Sequence, residues 1–285
     1  MNQYLSMKKF LLFAALICSF ASKAQYYYQD IIGTADIMNR MKVYRDARVQ
    51  SMTATGYDTR GAKTPDFNEW QEVQNNGKLL KVTNRNGRDV SRQYYSFDDA
   101  GKLVSLRDSS RQIETTSVYA YNSKGNLEQI SVSVKDSLQE FNRNEVRNWQ
   151  YDEKARPIKL IRIVNNIDTS VYNLMIDEDG NVGEERLFRI TNSADPVYYY
   201  YDDKNRLSDI VRYNKRAQRL LPDVMFEYDD QDRVIQRITT LSTIEPDYLT
   251  WRYLFNEKGL KSKEALFSKT AELKGRIDYT YTFFQ

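Results

Sequence analysis

The sequence predicts an all-β protein, a long antiparallel meander of repeated hairpins forming a curled or spiralled sheet, with one N-terminal helix. Three observations carry that prediction. The pattern aromatic-x-aromatic-Asp/Asn-x-x-Gly-x-Leu recurs seven times from Tyr95 onward, a second series of turn signals alternates with it, and helical periodicity is confined to one stretch before it. A period in the twenties has one economical explanation, a repeated structural unit.

The first residues read as an address. Lys8 and Lys9 precede an apolar run, Phe10 to Phe20, which is followed by Ser22-Lys23-Ala24; these are the charged, apolar and small-residue parts of a secretory signal peptide. Residues 1–24 are therefore expected to be removed. The 11 residues of the apolar run are too few to cross roughly 30 Å of hydrocarbon as a helix, and Ile17 stands before Cys18 where a lipoprotein signal wants a small residue. Residues 25–94 hold the predicted helix and degenerate repeats. Ile31, Ala35, Met38, Met41 and Tyr44 recur at spacings of three and four behind Asp30 as N-cap, which predicts a helix near 30–46, lying in the concave face of the sheet. Less regular strands begin near residue 47. Tyr57-Asp58-Thr59-Arg60-Gly61 and Asn84-Arg85-Asn86-Gly87 resemble degenerate copies of the repeat's turn.

Residues 95–285 carry the repeats, which start at Tyr95, Tyr119, Trp149, Leu174, Tyr199, Phe226 and Tyr253. The acid or amide falls at Asp98, Asn122, Asp152, Asp177, Asp202, Asp229 and Asn256, at spacings of 24, 30, 25, 25, 27 and 27. Two aromatics two apart share one face of a strand, the Asp or Asn closes its own turn through its side chain, and Gly supplies a positive φ. Where Gly is missing, Asn205 tolerates that region, Asp232 less readily and Ala155 hardly at all, so the Ala155 hairpin is expected to be the most irregular. The opposite turns are read at Asp108-Ser109-Ser110, Asn165-Asn166, Asn192 to Asp195, Asn214-Lys215, Glu245-Pro246-Asp247 and Ser268 to Gly275. Strands are expected near 112–121, 126–134, 145–151, 156–164, 169–176, 181–190, 196–201, 206–213, 222–228, 233–241, 248–255, 260–267 and 276–283. The last of these is expected to be an exposed edge suited to edge-to-edge dimers.

The unit Tyr-x-Tyr-Asp-x-x-Gly-x-Leu resembles the YD or Rhs-like repeat of bacterial secreted and cell-surface proteins, over about two thirds of the chain, Tyr95 to Tyr281. In large members the repeats spiral into a hollow shell, some enclosing a C-terminal toxin. This chain looks too short to enclose a domain and has an aromatic strand, Tyr279 to Phe284, where cargo would follow, so the toxin activity is not carried over.

Composition excludes most catalytic machinery. There is no histidine and a single cysteine, Cys18, so no histidine base, thiol dyad or His/Cys metal site can be assembled. Removal of residues 1–24 takes three of the 42 basic residues and none of the 39 acidic ones, leaving a neutral chain with no electrostatic case for nucleic acid. Asp177-Glu178-Asp179-Gly180-Asn181 carries oxygen ligands, yet the closing Glu of a calcium loop is missing, so it is read as a hairpin turn. No catalytic residue, metal ligand or cofactor is assigned, and binding residues are left unknown.

The 22 tyrosines are explained by strand propensity, cross-strand pairing and core filling. In the run Tyr198 to Tyr201 alternate rings face outward, so Tyr200 is expected to be exposed. The function expected is a non-enzymatic, secreted or envelope-associated binding or scaffolding module, secreted or periplasmic and associated with the cell surface, with carbohydrate or an envelope protein as partner. Two alternatives stand beside it: a carboxylate-based enzyme acting on carbohydrate, favoured by a deep pocket with two close acids in unlike surroundings, and an outer-membrane β-barrel. Against the barrel, strands such as 206–212 put charge on both faces, and the mean hydropathy is −0.70. The leading reading has no membrane-integral segment after signal cleavage.

Overall fold

The structure is a computed structural model that describes residues 28–136, 142–188, 195–240 and 247–285. Helix α1 spans Tyr28–Asp46 and is followed by β1 Val49–Tyr57, β2 Lys63–Gln74, β3 Leu79–Asn86, β4 Asp89–Phe97, β5 Leu103–Ser110 and β6 Ile113–Tyr121. There follow β7 Leu127–Asp136, β8 Asn142–Tyr151, β9 Pro157–Val164, β10 Asp168–Ile176, β11 Val182–Leu187 and β12 Val197–Tyr201. The chain ends through β13 Leu207–Asn214, β14 Arg219–Tyr228, β15 Val234–Thr240, β16 Tyr248–Phe255, β17 Lys261–Ser268 and β18 Leu273–Phe283. Each strand pairs antiparallel with its neighbour in sequence, and β18 pairs with β1, from Ser51 opposite Thr282 to Tyr57 opposite Arg276.

The sheet therefore closes into an 18-stranded barrel instead of remaining a curled or spiralled sheet. The expected free edge at 276–283 does not exist, because that strand, which starts earlier at Leu273, is hydrogen-bonded on both sides. Closure removes the aggregation hazard of an open edge. Its local cause is repeated: in all seven motif hairpins the register slips at the second motif position, at Phe97, Tyr121, Tyr151, Ile176, Tyr201, Tyr228 and Phe255. Such irregularities bend the strand and increase its twist, so curvature accumulates hairpin by hairpin until the ends meet.

The register slip also frees a backbone carbonyl, and tyrosine takes it. Tyr121 Oη donates to the Leu103 carbonyl at 2.8 Å, Tyr151 to Leu127 at 2.6 Å, Tyr201 to Val182 at 3.0 Å, Tyr228 to Leu207 at 2.7 Å and Tyr281 to Lys261 at 2.8 Å. Each of these five tyrosines thereby pins its strand to the unit before it, whereas Phe97, Ile176 and Phe255 have no hydroxyl to do so. Strand propensity accounts for an aromatic at this position; the buried hydroxyl needing a partner accounts for Tyr over Phe.

All seven motif turns lie on one rim, and each repeats the same two bonds, as in Asp98 N to Lys102 O at 2.9 Å and Gly101 N to Asp98 O at 3.1 Å. The Ala155 hairpin, expected to be irregular, keeps both of them at 3.0 Å, with Ala155 at φ 63°. The reason is a clamp. In the three motif turns without Gly the next residue is arginine, and its Nε donates to the turn aspartate: Arg156 to Asp152 at 2.7 Å, Arg206 to Asp202 at 2.8 Å, Arg233 to Asp229 at 2.7 Å. Ala155→Gly is expected to stabilise the protein by about 1 kcal/mol, the cost of holding Ala left-handed; chemical denaturation of the two forms measures it.

The turn at Tyr57 to Gly61 uses the same bonds, but it joins β1 to β2 on the opposite rim, as does Gly87 between β3 and β4, so neither is an in-phase copy of the repeat. The turn expected at Asp108-Ser109-Ser110 is strand, and the chain reverses at Arg111, φ 51°. The last reversal is confined to Ser268–Glu272. The signal peptide, residues 192–194 and residues 245–246 lie outside the described residues.

Candidate functional site

Inward-facing residues of the barrel meet α1, and the helix occupies the lumen as expected for the concave face. Its buried stripe is Thr34, Ile37, Met41 and Tyr44, with Ile31 and Met38 partly covered, whereas Ala35 is exposed. The C-terminal half packs on Val49, Val73, Leu80, Val82, Phe97, Leu103 and Leu260. At the N-terminal end Tyr28 and Ile31 pack on a second cluster around Trp149, Leu160 and Tyr199. Arg45 lies across two rim turns so closely that a Cβ added at Gly77 would sit 2.8 Å from it.

Asp30 lies inside the helix and is not its N-cap. The cap comes from far away in sequence: the Tyr28 backbone N–H donates to Glu185 Oε2 at 2.8 Å, and Tyr199 Oη holds the same oxygen at 2.9 Å. A carboxylate there satisfies an orphan donor and complements the helix dipole. Asp30 instead reaches the wall, where Arg147 Nη1 donates to its Oδ1 at 2.8 Å. Arg147 also bonds Glu145 at 2.7 Å, and Arg162 and Arg143 each bond Glu145 at 2.8 Å. Burial pushes Glu145 up, but the hydrogen bonds from Arg162 and Arg147 outweigh it and hold the carboxyl at about 2. For Asp30 burial wins over the pull of Arg147 and raises it to about 6; its Oδ2 is buried without a hydrogen-bond partner among the described residues.

The two shifts set opposite pH windows. The docked helix holds the Asp30 proton more tightly than an undocked one, so docking strengthens as pH falls from about 7 towards the usual aspartate range near 3.8. Glu145 contributes stability above its usual 4.5 and loses it as pH drops towards 2. Thermal unfolding is expected to peak near pH 4.5 to 5, with Asp30 contributing a gain over neutral pH of at most about 3 kcal/mol, and Asp30→Asn is expected to reduce the gain to the part due to the other carboxyls that burial raises, Asp36, Glu69 and Asp223. A melting temperature that falls steadily from pH 7 to 5 would contradict the Asp30 assignment.

The helix does not fill the lumen. Asp36 and Arg40 are exposed to solvent, yet Arg40 is surrounded by Tyr44, Tyr95 and Glu69, and burial raises Asp36. Solvent therefore reaches the interior beside the helix. Opposite lies a wall whose cluster, Leu249, Trp251 and Leu266 with Tyr253, contains no helix residue. Arg237 lies 5.9 Å above the Trp251 ring, with its Nε unpartnered among the described residues. Glu264 accepts from Tyr279 Oη and Lys261 Nζ, both at 3.0 Å. Glu69 accepts from Gln71 Nε2 at 2.6 Å and is raised by burial, with Glu264 adding to the rise. Trp251 and Glu264 of this wall are buried and Tyr253 and Glu69 half-buried, so rings and paired charges of both signs line this side of the lumen, an arrangement that suits a polar ligand with a flat face.

The sequence reading assigned no binding residue, and none of these carries a motif. The one signal available was the inward-pointing charge in strands otherwise inwardly aromatic, as at Glu145, Arg147 and Glu264. The acidic stretch Asp177 to Asn181 is a motif turn, where Asp177 Oδ1 accepts from the Asn181 N–H at 2.8 Å. Tyr200 is exposed at 48%, as expected, while Tyr198 is half-buried.

No family model and no curated protein matches this chain. Among solved structures it is similar to the porin-like protein from Bacteroides uniformis, at 9% identity and a TM-score of 0.42, covering 82% of this chain and 98% of that one. The porin-like protein from Bacteroides vulgatus matches at 14% identity and 0.29, over 83% and 99%. A chain of the TcdB2-TccC3-Cdc42 structure matches at 12% identity and 0.33, over 76% of this chain, which spans only 12% of that one's length. At these TM-scores the likenesses carry no weight for function.

Proposed function

We propose that this chain is a secreted, envelope-associated barrel, akin to the small repeat proteins its YD-like motif resembles, that acts by binding and not by catalysis. The observation that carries the proposal is the solvent-reached side of the lumen, where Arg40 on the docked helix is exposed beside Glu69 and Tyr95 and the wall of Trp251, Tyr253 and Arg237 carries no helix residue. The helix lies along one side of this space and the closed sheet surrounds it. Polysaccharide fragments fit its chemistry, because flat sugar faces stack on rings while hydroxyls take the charged groups. Glu69 and Glu264 are the pair an enzyme reading would use; both are tied up by neighbouring side chains, which favours binding.

The experiment is a glycan array on the protein from residue 25 onward, with product analysis of every hit. Binding without turnover, lost in Tyr253→Ala, supports the proposal. Product released from a hit would replace it with the enzyme reading.

A second reading, the outer-membrane barrel, is favoured by closure itself, since a closed antiparallel barrel is the only sheet that spans a bilayer. Such a barrel needs an outward apolar band about 25 Å tall. The outward positions here include Glu72, Lys81, Arg92, Gln129, Asn148 and Lys159, which is why a water-surrounded barrel is preferred. Carbonate extraction of cell envelopes distinguishes them: release into the aqueous phase supports the preferred reading, and retention until detergent is added supports the membrane barrel.

A further inference from the structure

The outer wall of β1 to β5 differs from the rest of the barrel. Register places Thr53, Trp70, Thr83, Arg92 and Ser109 in one outward row, and Ser51, Glu72, Lys81, Tyr94 and Arg107 in the adjacent row. Neighbouring strands are about 4.8 Å apart, so the two rows form a face about 20 Å wide. A groove of about 390 Å³ runs along it, lined by Ser51, Thr53, Trp70, Glu72 and Thr83.

Three arginines, Arg85, Arg92 and Arg107, are exposed on this face and form no ion pair among the described residues. The Arg85 guanidinium lies 5.8 Å from the Trp70 ring centre and that of Arg107 lies 4.6 Å from Tyr94. The one acid within the rows, Glu72, is already neutralised by Lys81 at 2.6 Å, and Glu114 stands at the far border, opposite Ser109. The face thus has surplus positive charge, two rings held flat under guanidinium groups, and a strip of hydroxyls extended by Thr280 opposite Thr53 and Thr282 opposite Ser51.

We infer that this face binds an acidic polysaccharide, a uronate- or sulfate-bearing chain, independently of the lumen. Arginine forks match carboxylate and sulfate oxygens bidentately, the two rings hold the Arg85 and Arg107 guanidinium groups in place, and the hydroxyl strip meets sugar hydroxyls. Charge complementarity selects an acidic over a neutral glycan. The balance of 39 basic and 39 acidic residues from residue 25 onward gives no electrostatic case for nucleic acid.

The test uses the protein from residue 25 onward with alginate as probe, dextran as neutral control and single-stranded DNA as the competing polyanion, by calorimetry at low and physiological salt. The expected result is alginate binding that weakens with salt, no dextran binding, and weaker binding to DNA. Arg85→Ser, Arg92→Ser and Arg107→Ser combined are expected to weaken alginate binding at least tenfold. The combination Lys135→Ser, Lys159→Ser and Arg252→Ser, which removes as much charge elsewhere on the outer wall, is expected to leave it unchanged. Tyr253→Ala in the lumen is also expected to leave alginate binding intact, which separates this site from the lumen. Equal losses in both triple variants, retention in the first, equal binding to dextran, or tighter binding to DNA would each overturn the assignment.

Discussion

Glu145→Ala is expected to destabilise the folded protein by ~3–5 kcal/mol, the range for breaking a buried charge network from one side. Glu145 is the acid shared by Arg143, Arg147 and Arg162, and its side chain is only 6% exposed. Its removal takes from Arg147 a 2.7 Å partner and from Arg162 a 2.8 Å partner. The repulsion between arginines that face each other across β8 and β9, at register Arg147 opposite Arg162, then loses the carboxylate that both share. Because Arg147 also holds Asp30, the loss extends to helix docking. Urea unfolding of Glu145→Ala against the parent measures it, and a change below about 1 kcal/mol would show that the network is solvated and not structural.

Tyr121→Ser is expected to cost about 3 kcal/mol, close to the range for deleting a packed aromatic, and Tyr121→Phe about 1 kcal/mol, the worth of one hydrogen bond. The ring faces inward against the helix, with its hydroxyl on the Leu103 carbonyl and Met38 Sδ within 3.9 Å, and Lys102 Nζ lies 4.8 Å from its centre. The ratio of the two losses is informative: it separates ring burial from the carbonyl bond that links adjacent units. Equal losses in Ser and Phe variants, measured by denaturation midpoint, would mean that the hydroxyl alone carries the contribution. A stable Ser variant with altered glycan binding would place the ring at a ligand and not in the core.

Local features were legible in the sequence because they are made by residues close together. The motif carried the turn chemistry at Asp98 or Asn122 and the inward pairing of Tyr119 with Tyr121, and separate spacings of three and four carried the helix through Met41 and Tyr44, although Thr34 and Ile37 of its buried stripe were not among the residues read and Ala35, which was, is exposed. Even the Ala155 turn was readable in principle, since Asp152-x-x-x-Arg156 recurs at Asp202 and Asp229 and always where Gly is missing. Closure was not legible. It depends on twist summed over the whole meander and on pairing of Thr53 with Thr280, residues far apart in sequence whose alternation would look the same on an open edge. The helix cap by Glu185 was hidden for the same reason.

Nor could alternation distinguish an inward ring that packs under the helix, such as Tyr119, from one in a cluster without helix residues, such as Tyr253. The distinction is set by where a single helix lies across a wide lumen. Site residues were missed because the lumen is built from the same inward positions as the core, and only its charged members, Arg40, Glu69, Arg237 and Glu264, mark it.

Barrel closure underlies the rigid lumen, the docked helix and the absence of a free edge, and one cross-link tests it. Thr53 and Thr280 are directly opposite on β1 and β18, where antiparallel Cα atoms sit about 4.5–5.5 Å apart, within disulfide reach. The chain from residue 25 onward has no other cysteine. Combining Thr53→Cys with Thr280→Cys and oxidising at low concentration is expected to give a monomeric intramolecular disulfide, seen as faster migration on non-reducing gels and as two thiols lost by mass. Free thiols that persist, or disulfide-linked dimers alone, would mean that the first and last strands do not meet.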